Sequence, residues 1–219
     1  MKMIARQVAP IVLAIALLAT VLMLQGCASP SAPDSTSTSD SQQTQTPVEE
    51  VPTEVEETPL FTPSYAPNGT EVAVITTDKG VIRIDLHSEQ APNHVASFVE
   101  LAQKGFFDGT KFHRVEPGFV IQGGDPLSKT DDPNVGTGGP GYRVAAEFNE
   151  LQHLDGTLSM ARSQDVDSAG SQFFICLGPQ PFLDGQYTVF GQVTEGMEVV
   201  RAITKGDVMR SVVIENATQ

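Results

Sequence analysis

From Glu71 the chain alternates with a period of two. Val72, Val74 and Thr76 fall on one side and Ala73, Ile75 and Thr77 on the other. Asp78-Lys79-Gly80 then turns into a second run, Val81–Leu86. This pattern predicts a β-hairpin. In the next stretch, APNHVASFVELAQKGFF, Val95, Phe98, Val99 and Ala102 recur at helical intervals. Pro92 near the start and Gly105 behind it predict one helix ending near Lys104. Beyond it, short apolar runs alternate with turns rich in glycine and aspartate. Strands are predicted over Lys111–Val115, Phe119–Gln122, Thr157–Ala161, Phe173–Leu177 and Thr188–Val193, then a short helix over Met197–Ile203 and a last strand over Ser211–Glu215. Many short strands with two helices suggest a mainly β fold, a closed β-barrel.

The first seventy residues follow other patterns. Lys2 and Arg6 precede an apolar run from Val8 to Leu24, broken only by Pro10 and Thr20. A charged start followed by an apolar segment reads as a signal peptide over residues 1–26, with an uncleaved membrane anchor as the alternative. Leu24-Gln25-Gly26-Cys27 resembles a bacterial lipobox, although Gln25 departs from the usual small residue. In that family the cysteine thiol carries lipid and becomes the mature N-terminus. The resemblance implies lipidation at Cys27 and an extracytoplasmic, membrane-anchored bacterial lipoprotein. Residues 27–68 are rich in Ser, Thr, Pro and Glu and poor in large apolar side chains. Such a stretch buries too little surface to offset its ordering entropy, so it reads as a disordered tether. Phe61 and Tyr65 mark where it meets the domain, which occupies residues 69–219.

Of 219 residues, the part able to share a core is thus one domain's worth. The net charge of −14 includes a tether holding Asp34, Asp40, Glu49, Glu50, Glu54, Glu56 and Glu57 with no lysine or arginine. An acidic domain behind an acidic leader repels phosphate backbones, so nucleic-acid binding is excluded and membrane contact is left to the lipid. The two cysteines, Cys27 and Cys176, provide no disulfide framework, and Cys176 in FFIC reads as a buried thiol.

Three chemical signals fail. Gly136, Gly138 and Gly141 spell G-x-G-x-x-G, but Asp131-Asp132-Pro133-Asn134 precedes it and Pro140 interrupts it. A dinucleotide site needs a strand before and a helix after, so this is a flexible loop. His87, His94, His113 and His153 lack zinc-site pairing and read as surface or half-buried residues. Ser171, in AGSQF, occupies no nucleophile elbow. No metal or cofactor is expected.

One stretch keeps its chemical interest: FHRVEPGFVIQGGD, Phe112 to Asp125. It places Arg114, Phe119 and Gln122 on neighbouring strands joined by Glu116-Pro117-Gly118. Strict alternation puts Phe119 with Ile121 on one face and Val120 with Gln122 on the other. A guanidinium beside apolar side chains is costly unless satisfied or used, though a surface arginine beside a core phenylalanine fits the same spacing.

Together with GTGGPGY, LSMARSQDVDSAGSQFFI, FLDGQYTVFGQV and GMEVVRAI, that stretch resembles the cyclophilin-type peptidyl-prolyl isomerases, in order and spacing, from about Glu71 to the last strand. The resemblance implies an eight-stranded antiparallel closed β-barrel capped by two helices. It implies rotation about X–Pro bonds of proline-containing polypeptides; joined to the lipobox reading, this predicts a role in extracytoplasmic protein folding, by a chain expected to be a monomer. By resemblance the catalytic arginine is Arg114, the proline pocket is Phe119, Val120, Phe174 and Leu183, and Gln122 steadies the arginine with Gln172 nearby. Ala161 and Arg162 match the segment whose backbone pairs with substrate, and Gly136 lies on the rim loop. Val120 replaces a frequent methionine and Arg162 a frequent asparagine. Phe182 and Tyr187 stand where many members carry Trp and His, which leaves cyclosporin affinity open. A tethered module that binds proline segments with little turnover is the alternative.

Overall fold

The computed structural model describes residues 58–216. The predicted signal peptide, Cys27 and most of the predicted tether lie outside the described residues. The predicted hairpin is β1 (Glu71–Thr77) and β2 (Gly80–Leu86), paired from Val72–Asp85 to Thr77–Gly80. Its loop is therefore only Asp78-Lys79. Helix α1 (Pro92–Gln103) follows, with Lys104 as its C-cap. No side chain at its N-cap accepts a hydrogen bond. Instead Glu147, far along the chain, takes the N–H of Asn93 at 2.9 Å and of His94 at 2.9 Å. A carboxylate there satisfies orphan donors and opposes the helix dipole.

The remaining strands are β3 (Arg114–Glu116), β4 (Val120–Gly123), β5 (Thr157–Met160), β6 (Phe173–Cys176), β7 (Val189–Glu195) and β8 (Met209–Asn216), with α2 (Met197–Ala202) before the last. All eight join one antiparallel sheet in the order β3-β4-β6-β5-β7-β2-β1-β8. The expected closure is incomplete. Among the described residues no ladder joins β3 to β8, and the sheet is a half-barrel. The predicted strand Lys111–Val115 begins only at Arg114. Lys111 makes one isolated bridge to Val208, and Phe112 and Gly109 exchange hydrogen bonds with Asp207, Gly206 and Met209 across the seam.

Side-chain alternation divides the burial between two faces. Phe173 and Ile175 of β6 point into the main core, where Phe98 stacks on Phe107 with ring centres 4.8 Å apart and meets Phe173 and Phe190 edge-on or tilted. Phe174 and Cys176 point the other way, into a small cluster with Val120 and Leu183. Both faces of β6 are buried, which explains why FFIC reads as an unbroken apolar run. The small cluster is the floor of the site.

Candidate active site

The turn between β3 and β4 sets the site. Pro117 and Gly118 occupy its centre, Gly118 has φ +72°, and the Phe119 N–H donates to the Glu116 carbonyl at 2.9 Å. Proline followed by a glycine at positive φ is the signature of a type II turn. The turn delivers Arg114 directly opposite Gln122. It also overturns the alternation expected through Phe119. That residue lies outside the ladder, packs against the Val120 cluster, and leaves Ile121 alone in the main core.

Arg114 Nη1 donates to Gln122 Oε1 at 3.3 Å, and its Cζ lies 5.5 Å from the Phe119 ring centre. Glu116 stands 3.7 Å from Nε. Gln122 Nε2 then donates to Gln172 Oε1 at 3.0 Å, and Gln172 Nε2 donates to the carbonyls of Gly136 and Gly138 at 3.0 and 2.9 Å. Because a guanidinium only donates, it fixes the sense of both amides along this rail. Arg114 also lines the cavity beside this rail.

That cavity has a volume of about 110 Å³ and is lined by Phe119, Val120, Phe174, Leu183 and Tyr187, with Arg114, Gln122, Ala161 and Arg162 at its polar edge. Val120 is 1% exposed, and Phe174 and Tyr187 meet edge to face, 5.8 Å between ring centres. Phe182 is 61% exposed and does not line the cavity; it stacks on Phe119 at the rim, 5.8 Å between centres. Arg162 serves the walls. Its Nε and Nη2 donate to the Gln186 carbonyl, its Nη1 donates to the Ser163 carbonyl, and its guanidinium lies 4.7 Å from the Tyr187 ring centre.

Gly136 and Gln172 belong to a second, polar pocket of about 360 Å³, which shares Gln122, Ala161 and Arg162 with the first and adds Tyr142, Ser163 and Gly170. An extended chain leaving the apolar cavity past Ala161 enters it. The loop expected to be flexible is held: Asp125, fully buried, accepts the N–H groups of Leu127, Gly136 and Gly138. A Cβ on Gly138 would collide with that carboxylate. Sequence reasoning passed over Asp125, although Asp before Pro126 is a cap signal, and Asp125 does cap the short 3₁₀ turn Pro126–Lys129.

Two histidines differ from expectation. His94 and His153 are fully buried, because each finds a carboxylate: His94 Nδ1 lies 2.7 Å from Glu147, and His153 Nδ1 lies 2.9 Å from Asp184. His153 stacks flat beneath Phe174 and reaches Ser159 Oγ at 3.0 Å. This serine–histidine–aspartate chain supports the pocket floor and offers no nucleophile, since Ser159 is fully buried. Burial pushes the Cys176 thiol up to about 12, with Asp184 and Asp155 adding to it. Among the described residues no cluster of three metal-ligating side chains occurs, and no helix is long and apolar enough to cross a membrane.

Residues 72–219 match the family model described as cyclophilin type peptidyl-prolyl cis-trans isomerase/CLD. A peptidyl-prolyl cis-trans isomerase of Synechococcus elongatus is 51% identical over 144 residues, covering 65% of this chain and 94% of the relative. Peptidyl-prolyl cis-trans isomerase B of Bacillus subtilis is 49% identical over 140 residues, covering 63% and 93%. Among solved structures, a cyclophilin-type isomerase of Cryptosporidium parvum is similar with a TM-score of 0.61 at 29% identity, covering 68% of this chain and 99% of that one. The same protein solved in the presence of the dipeptide Ala-Pro gives 0.59 at 30% identity, covering 66% and 99%.

Proposed function

Since the chain belongs to the cyclophilin-type peptidyl-prolyl cis-trans isomerases, and so rotates X–Pro bonds in polypeptides, we propose that Arg114, Phe119 and Gln122 are its catalytic centre and that it works outside the cytoplasm on a lipid tether at Cys27. The observation that supports this centre is the Arg114–Gln122 pair aligned beside a cavity floored by Val120, Phe174 and Leu183.

The mechanism follows from the amide. Conjugation between the prolyl nitrogen and its carbonyl gives a barrier of ~18–20 kcal/mol, and unassisted exchange takes roughly 10–100 s. In the twisted transition state the nitrogen lone pair is localised and accepts a hydrogen bond; in either planar isomer it does not. An Arg114 N–H directed there binds the twisted state more tightly than the ground states, which is the condition for catalysis. The apolar cavity holds the ring while the preceding residue rotates over the Ala161–Arg162 edge. A ~10⁵-fold acceleration needs about 7 kcal/mol at 1.36 kcal/mol per decade. One charged hydrogen bond supplies part; exclusion of water and fixation of the ring supply the rest.

In this reading the working unit is a monomer. Anchoring rests on the lipobox resemblance: more than one acyl chain is needed for stable membrane attachment. Labelled fatty acid fed to cells expressing the full chain should enter the protein and be lost in Cys27→Ala. A protein that stays unlabelled removes the anchor. A cis-to-trans assay on a proline peptide with the full chain tests the centre through its variants.

A further inference from the structure

The stretch Thr58–Tyr65 runs along the domain before the first strand, and its two ends are gripped differently. At one end it forms a short parallel bridge. The Arg143 N–H donates to the Pro59 carbonyl at 2.8 Å, the Phe61 N–H donates to the Arg143 carbonyl at 2.6 Å, and Arg143 Nε donates to the Thr58 carbonyl at 3.0 Å. At the other end Glu100 Oε1 on α1 accepts the Ser64 N–H, the Ser64 hydroxyl and the Tyr65 N–H at 2.7–2.9 Å. Between them the Phe61 ring stacks on Tyr142, 4.9 Å between centres with 27° between planes.

Tyr142 is also a wall of the polar pocket. Arg143 reaches onward: its Nη1 donates to Asp165 at 3.0 Å, in the loop that contributes Ser163 and Ser168 to the same pocket. Next to it the Val144 N–H donates to the Ala169 carbonyl at 2.7 Å, and a Cβ on Gly170 would press on Pro140. The two loops that wall the pocket are thus sewn to each other, and the segment before the domain is sewn directly to the first and only through Arg143 to the second. A plain connector would solvate its own backbone. This one spends three donors on a single nearly buried carboxylate and adds a ring to the back of a groove wall.

We infer that Thr58–Tyr65 is a positioning strap for the substrate groove: by fixing Tyr142 and, through Arg143, the 163–168 loop, it sets how tightly the residues flanking the proline are held. The inference rests on the isomerase reading only for what fills the groove. The strap touches neither Arg114 nor the apolar cavity, so its effect falls on binding and spares the rotation step.

The test uses the full chain in mild detergent, as wild type, Phe61→Ala and Phe61→Tyr. Two substrates are compared: a peptide with three residues on each side of its proline, and a minimal Ala-Pro peptide too short to reach the polar pocket. KM and kcat are read for both, and Kd for the long peptide by titration calorimetry. Phe61→Ala should raise KM and Kd for the long peptide by about fivefold to tenfold, the range of energetic coupling through packed contacts. Its kcat should stay within about twofold and the minimal peptide should be unaffected; Phe61→Tyr, which keeps the ring, should behave as wild type. An unchanged Kd for the long peptide overturns the strap, as does an equal rise for both peptides, and so does a lowered melting temperature with KM untouched. A full chain without turnover would refute the isomerase reading alone, because the Kd comparison still decides the strap.

Discussion

Arg114 and Phe174 stand in one row across three strands, Arg114 opposite Gln122 and Gln122 opposite Phe174. The row continues to Ser159 on β5. Neighbouring strands lie about 4.8 Å apart, so the charged donor and the ring on the pocket floor are held about 10 Å apart by the ladder itself. Their spacing does not depend on a mobile loop.

Two glycines flanking β4 give a contrast, Gly118 in the turn before it and Gly124 directly after it. Gly118 and Gly124 have φ +72° and +83°, so alanine strains the backbone at either. A Cβ on Gly118 meets open space, whereas one on Gly124 would collide with the Ser171 carbonyl and press on Phe173 at 3.0 Å. Gly118→Ala should therefore lower stability by only about 1 kcal/mol, the backbone penalty alone. Gly124→Ala should lower it by more than about 3 kcal/mol. Urea unfolding of both variants checks this, and equal losses would contradict it.

Three carboxylates give the fold a pH dependence of definite sign. Burial pushes Glu71, Glu100 and Glu147 upward, but hydrogen bonds outweigh it and hold each below the ordinary 4.5: from Asn68 and Tyr65 to Glu71, from Ser64 and Tyr65 to Glu100, from His94 and Asn93 to Glu147. A carboxyl lowered on folding stabilises the native state above its unfolded pKa and loses that contribution as pH falls through the folded value. His87 and His113, lowered by burial, add a shallower fall in melting temperature as pH drops below their ordinary 6.5. The contribution of the three carboxylates should be constant above about pH 5 and fall away steadily below about pH 4.5. Glu100→Gln should flatten that fall and Glu147→Gln should do the same. A melting temperature constant down to pH 3 would refute the assignment.

Cys176 packs beneath the pocket floor with Val120, Phe174 and Leu183, and it should be silent. With its pKa pushed up to about 12 and no exposed surface, it carries almost no thiolate at neutral pH. Alkylation mapped by mass spectrometry should leave Cys176 unmodified in the native chain and modify it fully in urea. Modification at the rate of a free thiol in native buffer would show that the floor opens.

How far the sequence leads can be read residue by residue. The hairpin, α1 and the Arg114–Gln122 pairing were legible because each depends on local signals: a two-residue turn, a helical apolar stripe, Glu116-Pro117-Gly118. The cavity lining was legible only through the family resemblance, since Phe174, Leu183 and Tyr187 lie far along the chain from Phe119. Phe119 itself escaped the alternation rule because its turn places it outside the ladder. Burial of His94 and His153 could not be read, because their carboxylate partners lie 53 and 31 positions away. Barrel closure failed for a similar reason: nothing local says that β3 starts at Arg114 and leaves the seam to single bridges.

The central claim is that Arg114 carries the rotation step. It is tested most directly by cis-to-trans isomerisation of a short X–Pro peptide with the full chain and Arg114→Ala side by side, the fold of each verified by circular dichroism. Arg114 is half-exposed and its side-chain partners are Gln122, Glu116 and the Phe119 ring at the site, outside the main core, so the variant should largely keep its melting temperature. Its kcat/KM should fall by about 10²–10³, the usual loss for one transition-state donor. Turnover within twofold of wild type in the folded variant would contradict the account. Weak turnover in both, with peptide affinity intact, would leave a cyclophilin fold that holds proline segments without rotating them.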